Sequence, residues 1–234
     1  MDNILSEKRK FYHSLVFPGL FLISIWLIKL FEITLNTGFS KLGIYPLKIF
    51  GLPGIVLSPF LHGDLKHLIS NSVPVFILWV AIIYFYRGIG HRVVIISWLM
   101  TGIFVWLIGR PSFHIGASGL VYAFAAFLFF SGVLRQDNRL LAIALAVAFM
   151  YGSMIWGIFP QDPKISFEAH AMGLFSGLAL AIYYRKEGPK RKKYSWEIEE
   201  EEERKEEEKR ELTPGPTDYS SENIEIKYIW KEKE

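Results

Sequence analysis

The chain of 234 residues contains no cysteine. A disulfide framework and any metal site built on thiolates are therefore excluded. Charged side chains are also scarce over six long and mostly apolar stretches. Runs of about 18 or more apolar residues are typical of membrane-spanning helices and not of a soluble domain. The six stretches cover residues 14–33, 66–86, 91–109, 116–134, 139–158 and 166–184. The sequence predicts an all-α polytopic membrane protein with six transmembrane helices.

The small formal net charge of +3 hides two regions of opposite sign. Residues 195–234 carry 15 acidic and 7 basic side chains, a net of −8, so the remainder carries +11. The basic residues of the remainder cluster at alternate ends of the predicted spans, which favours the cytoplasmic side for those ends. These clusters are Lys8, Arg9 and Lys10; Arg87 and Arg92; Arg135 and Arg139; and Arg185, Lys186 and Lys190 to Lys193. We therefore expect both termini in the cytoplasm.

Three regions follow from this pattern. Residues 1–13 form a cytoplasmic N-terminal flank, residues 14–185 form the six-helix core, and residues 186–234 form a charged, largely acidic cytoplasmic tail. The first apolar stretch is too long for a signal peptide and lacks a small-x-small cleavage site, so we expect it to be retained. In the tail, residues 199–211 suit a solvated helix or disorder, and the stretch from Thr213 to Pro216 would break a helix. Residues 36–63 form a long loop that we expect to fold into the membrane interface, as a packing cap or as a wall beside a site.

Ser118 lies in the segment Gly116-Ala117-Ser118-Gly119, where the fourth span begins. A serine at a helix start is commonly only an N-cap. Flanking glycines, however, permit tight backbone approach and an exposed hydroxyl. The free amides of a helix N-terminus also favour developing negative charge. Ser118 is therefore a candidate nucleophile.

His170 lies near the start of the sixth span, and an ionisable group at membrane depth is a functional candidate. Gly173 and Gly177 share its helix face and would let a second helix approach closely. Proton transfer between a serine Oγ and a histidine nitrogen requires a separation of about 3 Å. The sequence thus favours a Ser118-His170 dyad, and no carboxylate is placed as a third member.

A polar cluster surrounds the start of the second span. His67 and Asn71 lie four residues apart on one face, and His62 precedes them. This end should face protein or a wet cavity rather than lipid. His67 and Asn71 are either donors to an oxyanion or partners in interhelical hydrogen bonds. Tyr122, one turn after Ser118, either packs or supports His170. We expect loop or interface positions for four further residues, Asp64, His114, Asp162 and Glu168.

Four segments together resemble the rhomboid family of intramembrane serine proteases. They are Phe60-Leu61-His62, His67-Leu68-Ile69-Ser70-Asn71, Gly116-Ala117-Ser118-Gly119, and Ala169-His170-Ala171-Met172-Gly173 followed by Gly177. Each segment alone is weak, but they occur in the family's order on spans two, four and six. The resemblance covers about residues 12–185. Many bacterial members carry a Trp-Arg pair in the first loop, whereas this chain has no tryptophan between Trp26 and Trp79. The anchoring of this loop should therefore differ.

The resemblance implies a six-helix rhomboid-like bundle in which Ser118 is the nucleophile and His170 the general base. It places His67, Asn71 and the Ser118 backbone amide at the oxyanion hole. Supporting positions are Tyr122, His62, Gly116, Gly119, Gly173 and Gly177. The implied substrates are single-span or multi-span membrane proteins, cleaved in or next to a transmembrane segment without cofactor or metal. Apart from the resemblance, the lack of a sorting signal favours the lipid bilayer of the plasma membrane. With both termini in the cytoplasm, Ser118 and His170 lie near the outer ends of their helices, so we expect the site toward the outer face. No nucleic acid partner is expected.

Two alternatives belong to other functional classes. A non-catalytic rhomboid-like protein would bind membrane client proteins, but the intact Ser118 and His170 argue against it. A transporter or metal-handling protein could use His62, His67, His114 and His170 as ligands. Their spacing matches no strong metal motif, and this hypothesis leaves the segment around Ser118 unexplained. The sequence leaves the oligomeric state open.

Overall fold

A computed structural model of the chain describes residues 2–135, 137–160, 165–189 and 195–212. Regular structure in these residues is helical, apart from one isolated antiparallel bridge between Ile44 and His114. The α-helices are α1 (Asp2–Thr34), α2 (Gly54–Leu57), α3 (Leu65–Phe85), α4 (Gly90–Ile108), α5 (Ser118–Arg135), α6 (Asn138–Tyr151), α7 (Phe167–Tyr183) and α8 (Ser195–Leu212). Short 3-10 segments cover Ser40–Leu42, Ile49–Gly51, Ser58–Phe60, Gly152–Ile158 and Tyr184–Lys186.

The predicted polytopic helical fold is confirmed. Among the described residues, five helical segments are long and apolar enough to cross a membrane: Glu7–Thr34, Leu65–Phe85, Gly90–Ile108, Ser118–Arg135 and Asn138–Ile158. Helix α7 corresponds to the sixth stretch and, with 17 residues, is shorter than these five segments. The predicted boundaries differ by one or two residues in most helices and by more at two places. Helix α1 already begins at Asp2, and the fifth stretch is α-helical only to Tyr151 before it continues as a 3-10 segment.

Helix α5 lies at the centre of the bundle. It has no charged side chain before its last residue, Arg135, and 61% of its 18 residues are buried. It packs most extensively against α7, and also against α6, α3 and α4. Phe124 and Phe127 are fully buried. Because α5 begins with Ser118, the central position of this helix also places the candidate nucleophile inside the bundle.

The outer surface of the bundle is strongly apolar. In the segment Asn138–Ile158, which contains α6, only 11% of an 18-residue apolar stretch is buried, and Phe149 on α6 is 93% exposed. Helix α1 likewise exposes Leu20, Leu27 and Leu30. An exposed apolar surface of this extent suits hydrocarbon rather than water. The chain is a multi-pass membrane protein, and its environment is the lipid bilayer.

The long loop after α1 is ordered by α4 instead of by a tryptophan of its own. The indole Nε1 of Trp98 donates to the Ile55 carbonyl at 3.2 Å, and that of Trp106 donates to the Lys48 carbonyl at 3.0 Å. The loop exposes Ile49 and Phe50. The loop thus packs on α4 while it presents apolar side chains outward.

The chain divides into two compact units, Met1–Arg191 and Lys192–Glu234. Within the second unit, residues 195–212 form α8, in which Lys205 pairs with Glu201 at 3.4 Å. This is the i,i+4 pairing expected for a solvated helix. The predicted helix-breaking stretch from Thr213 to Pro216 lies outside the described residues.

Candidate active site

The segment before α5 is shaped around Gly116. This residue has φ +107°, a conformation that glycine adopts without strain. Its amide donates to the Ser58 carbonyl at 2.9 Å, and the next amide, that of Ala117, donates to His62 Nε2 at 3.4 Å. These contacts hold the chain in place just before it enters α5 at Ser118. The flanking glycine at 116 is therefore required by the turn itself.

His170 is the fourth residue of α7, and its two ring nitrogens have different partners. Nε2 lies 2.8 Å from Ser118 Oγ, and Nδ1 lies 2.8 Å from the Gly157 carbonyl oxygen. Because a carbonyl oxygen can only accept, Nδ1 must carry the proton in the neutral ring. Nε2 is then an acceptor for the Ser118 hydroxyl. The arrangement gives the serine a base in the correct tautomer.

Tyr122 fixes the plane of the His170 ring. The two rings are stacked, with centroids 4.2 Å apart and an interplanar angle of 11°. The Tyr122 hydroxyl donates to the Met154 carbonyl. The 3-10 segment Gly152–Ile158 thus supplies acceptors for both rings. Sequence analysis did not identify the carbonyls of Gly157 and Met154, since a backbone acceptor leaves no mark in residue type.

Helices α5 and α7 touch almost backbone to backbone beside the dyad. A Cβ added at Gly173 would lie 2.1 Å from the Gly119 carbonyl oxygen, and one added at Gly177 would lie 2.1 Å from the Ala123 carbonyl oxygen. At Gly119 the nearest atom, Thr101 Cγ2, would be 3.0 Å away. The glycines therefore set how closely the helices of Ser118 and His170 approach.

His67 and Asn71 lie over Gly116. A Cβ at Gly116 would lie 2.7 Å from His67 Nε2 and 3.6 Å from Asn71 Nδ2. Asn71 Nδ2 is buried and has no hydrogen-bond partner among the described residues. Buried donors are nearly always satisfied, so a free one beside a nucleophile is available to a reacting group. The His62 ring packs against His67, with centroids 5.1 Å apart.

An ion pair on α1 supports the His62 segment. Lys29 Nζ lies 2.9 Å from Glu32 Oε2 and donates to the carbonyls of His62 and Gly63 at 2.9 and 3.0 Å. Glu32 Oε1 in turn accepts from the Phe39 amide at 2.7 Å. Sequence analysis did not use this pair, although two opposite charges three residues apart inside an apolar stretch are a signal.

Burial lowers the pKa of His62 to about 3, with the nearby His67 contributing in the same direction. His62 is therefore neutral at physiological pH, as its role as acceptor for the Ala117 amide requires. A neutral imidazole also avoids an uncompensated charge in a position that is 3% exposed.

Two residues assigned to loops or the interface, His114 and Glu168, are buried close to the dyad segments. Burial also lowers the pKa of the His114 imidazole. Its Nδ1 lies 2.6 Å from Ser166 Oγ, in the residue that caps α7. Asp64 caps α3 by accepting from the His67 amide at 2.8 Å. Asp162 lies outside the described residues.

The imidazoles do not converge as a ligand set. In the described part of the chain, no three side chains of His, Asp or Glu are grouped so as to hold a metal ion. The ring nitrogens of His114 and His170 are directed to Ser166 and Ser118, respectively. The structure brings Ser118, His170, His67, Asn71, His62 and Tyr122 together around Gly116, while Gly119, Gly173 and Gly177 lie along the contact between α5 and α7.

Comparison with known proteins identifies the family of the chain. The profile of the Rhomboid domain matches residues 51–187. The chain is 32% identical over 183 residues to uncharacterized proteins of Mycobacterium tuberculosis and Mycobacterium bovis, covering 74% of this chain and 75% of each relative. An uncharacterized protein of Mycobacterium leprae is 31% identical over 183 residues, covering 74% of this chain and 71% of the relative. The chain belongs to the rhomboid family.

Proposed function

We propose that this protein is an intramembrane serine endopeptidase that hydrolyses peptide bonds in or next to transmembrane segments of other membrane proteins. The observation that carries the proposal is the 2.8 Å separation between Ser118 Oγ and His170 Nε2, with Nδ1 committed to the Gly157 carbonyl. A serine hydroxyl that donates to an imidazole of fixed tautomer provides the nucleophile and the general base that acyl transfer requires.

In the first half-reaction, Ser118 Oγ attacks the scissile carbonyl carbon while its proton passes to His170 Nε2. The resulting oxyanion accepts hydrogen bonds from Asn71 Nδ2, from His67 and from the Ser118 backbone amide. The carbon–nitrogen bond then breaks as His170 returns the proton to the leaving nitrogen. The product is an ester between Ser118 and the acyl fragment.

In the second half-reaction, water attacks the ester carbon and gives its proton to His170. The second oxyanion collapses, the bond to Ser118 Oγ breaks, and His170 protonates this oxygen. The Gly157 carbonyl stabilises the imidazolium in both halves, in the place where many serine hydrolases use a carboxylate. All of these steps use groups of the chain, the substrate and one water molecule, and no cofactor takes part.

The proposal is tested with purified protein in detergent and a single-span substrate whose span contains glycine near the cut. Ser118→Ala and His170→Ala should abolish cleavage. Ser176→Ala is the matched control, since this buried serine of α7 donates to the Met172 carbonyl within its own helix. A chelator should have no effect. Cleavage that survives Ser118→Ala would refute the mechanism, and a folded wild type that binds substrates without cutting them would favour the client-binding alternative.

The substrate preference follows from the chemistry. A helical peptide bond has its carbonyl hydrogen-bonded within the helix, so a substrate span must unwind locally before Ser118 can attack. Spans with Gly, Pro or polar residues near the cut should therefore be cleaved faster than Leu-rich spans of equal length. Equal rates for both kinds of span would contradict this preference.

We further propose that the protein lies in the plasma membrane with both termini in the cytoplasm and the site toward the outer face. The absence of cysteine makes a direct test possible. Gly38 follows α1 and Gly88 lies between α3 and α4, and a Cβ at either meets no atom of the described residues within 4 Å. A membrane-impermeant thiol reagent added to intact cells should label Gly38→Cys, whereas Gly88→Cys should react only after lysis. The reverse pattern would overturn the orientation.

A further inference from the structure

His114 is a buried titratable residue that the proposed mechanism does not use. It is 2% exposed and lies between α4 and α5, four residues before Ser118. Its amide donates to the Ile44 carbonyl at 2.8 Å, and its carbonyl accepts from the Ile44 amide at 3.0 Å. The backbone of His114 is thus pinned to the long first loop, and its side chain is free to serve another contact.

The partners of the imidazole determine its tautomer. Nε2 lies 3.1 Å from the Arg110 carbonyl oxygen, so Nε2 carries the proton. Nδ1, 2.6 Å from Ser166 Oγ, therefore accepts the Ser166 hydroxyl proton. The same Oγ accepts from the Ala169 amide at 3.2 Å, as the cap of α7. Each hydrogen bond in this network thus pairs one donor with one acceptor.

The bond joins equivalent points on the two sides of the dyad. His114 lies four residues before Ser118, and Ser166 lies four residues before His170. A second contact runs alongside. The Arg110 amide lies 3.3 Å from Glu168 Oε1, and Arg110 Nη2 donates to the Ile165 carbonyl at 2.7 Å. The segment that leads into the nucleophile is therefore fastened to the segment that leads into the base.

We propose that His114 is a positioning residue that, through its hydrogen bond to Ser166, fixes the segment before Ser118 to the start of α7 and thereby sets the Ser118–His170 separation. This inference rests on the proposed protease function. It predicts that loss of the bond lowers the rate of the chemical step while substrate binding and overall stability change little. A residue that served only the packing of the bundle would act on stability alone.

The test compares His114→Ala, Ser166→Ala and the double variant, using steady-state kinetics on the single-span substrate and thermal unfolding in detergent. Each single variant should lower kcat by about tenfold or more, with KM within about twofold, because small misplacements of reacting groups are costly. The double variant should lose little beyond the worse single variant, since both remove the same bond. Ser166→Thr keeps a hydroxyl and a cap and should restore kcat.

The matched control is Asp137→Ala. Asp137 caps α6 by accepting from the amides of Arg139 and Leu140 at 2.9 and 3.4 Å, so this variant loses a helix cap away from the dyad. It also loses the ion pair between Asp137 and Arg139, so it should destabilise the protein at least as much as Ser166→Ala but retain kcat. If Ser166→Ala keeps full kcat, or if the two single effects multiply in the double variant, the inference is wrong. Ser166→Ala also decides the question if His114→Ala does not fold.

Hydrogen exchange separates this inference from the proposed function. If the wild type cleaves no substrate, the protease proposal fails, but the effect of the His114–Ser166 hydrogen bond on the start of α7 can still be measured. Amides at the start of α7 should exchange faster in His114→Ala than in the wild type, although residue 114 lies in a different segment. Amides at the start of α6 should not change. Unaltered exchange at the start of α7 would refute the inference independently of catalysis.

Discussion

Replacing Gly173 with alanine should separate the catalytic pair while leaving both of its members in place. The added Cβ would lie 2.1 Å from the Gly119 carbonyl oxygen, whereas real Cβ atoms essentially never come closer than 3.0 Å to such an atom. The obstructing atom is backbone and cannot rotate away. Helices α5 and α7 must therefore part by about 0.9 Å, the difference between these two distances.

This displacement acts directly on the dyad, because Gly173 lies one turn after His170 and Gly119 follows Ser118. Adding about 0.9 Å to the observed 2.8 Å gives a Ser118 Oγ to His170 Nε2 distance of about 3.7 Å, beyond hydrogen-bond range. A misplacement of about 1 Å can cost roughly 100-fold in rate. Overpacking a tight interface also costs about 1–3 kcal/mol of stability. We expect kcat to fall by about 100-fold and KM to change little.

The assay is cleavage of a fluorogenic single-span substrate in detergent micelles, with thermal unfolding measured in parallel. Gly19→Ala is the control within the same bundle, since a Cβ at Gly19 meets no atom of the described residues within 4 Å. Gly119→Ala should be intermediate, because its nearest neighbour is the Thr101 methyl at 3.0 Å, a side-chain atom that can yield. A Gly173→Ala variant with wild-type kcat would refute the reasoning.

Three further predictions concern single side chains. Asn71→Ala should lower kcat by about 100-fold to 1000-fold through loss of one oxyanion donor, measured by steady-state kinetics. Lys29→Met should destabilise the bundle by about 3–5 kcal/mol in denaturant titration, because it leaves the Glu32 carboxylate buried and unpaired; adding Glu32→Gln should recover much of this loss. The hydrogen bond from the first turn of α3 lowers the pKa of Asp64, so this carboxylate contributes stability above its unfolded pKa and loses it as pH falls through the lowered value. Melting temperatures between about pH 3 and 6 should therefore fall less steeply in Asp64→Asn than in the wild type.

Each of these predictions has a contrary result. Wild-type kcat in the Asn71 variant would remove that amide from the oxyanion site. A double variant at residues 29 and 32 as unstable as Lys29→Met would show that the loss comes from packing and not from an unpaired charge. If the melting temperatures of the wild type and Asp64→Asn fall equally as the pH is lowered, the cap does not depend on ionisation.

The sequence alone was sufficient to predict the class of fold. Six apolar stretches of spanning length, with few charges inside them, leave helices as the way to satisfy the backbone in lipid. The Gly116 to Gly119 segment also predicted a candidate nucleophile at a helix start, and the Gly173–Gly177 spacing predicted that a second helix would approach closely there. These signals are local, since periodicity and small residues are legible within one segment.

Other features could not be predicted because they depend on contacts between distant segments. The Gly157 carbonyl that fixes the His170 tautomer is a backbone group, and every residue carries one. The importance of His114 arises only when its ring meets Ser166, 52 residues further along the chain. The anchoring of the first loop by Trp98 and Trp106 likewise requires α4 to lie against it.

Ser118 and His170 show the division most clearly. Their residue types and glycine neighbours identify a candidate nucleophile and base from sequence, because the chemistry of a hydroxyl and an imidazole belongs to the side chains themselves. Their separation of 2.8 Å, the choice of ring nitrogen and the burial of the Asn71 amide were decided by the packing of α3, α5 and α7. The distance between two helices is set by the packing of all the side chains at their interface. These contacts form only in the folded bundle.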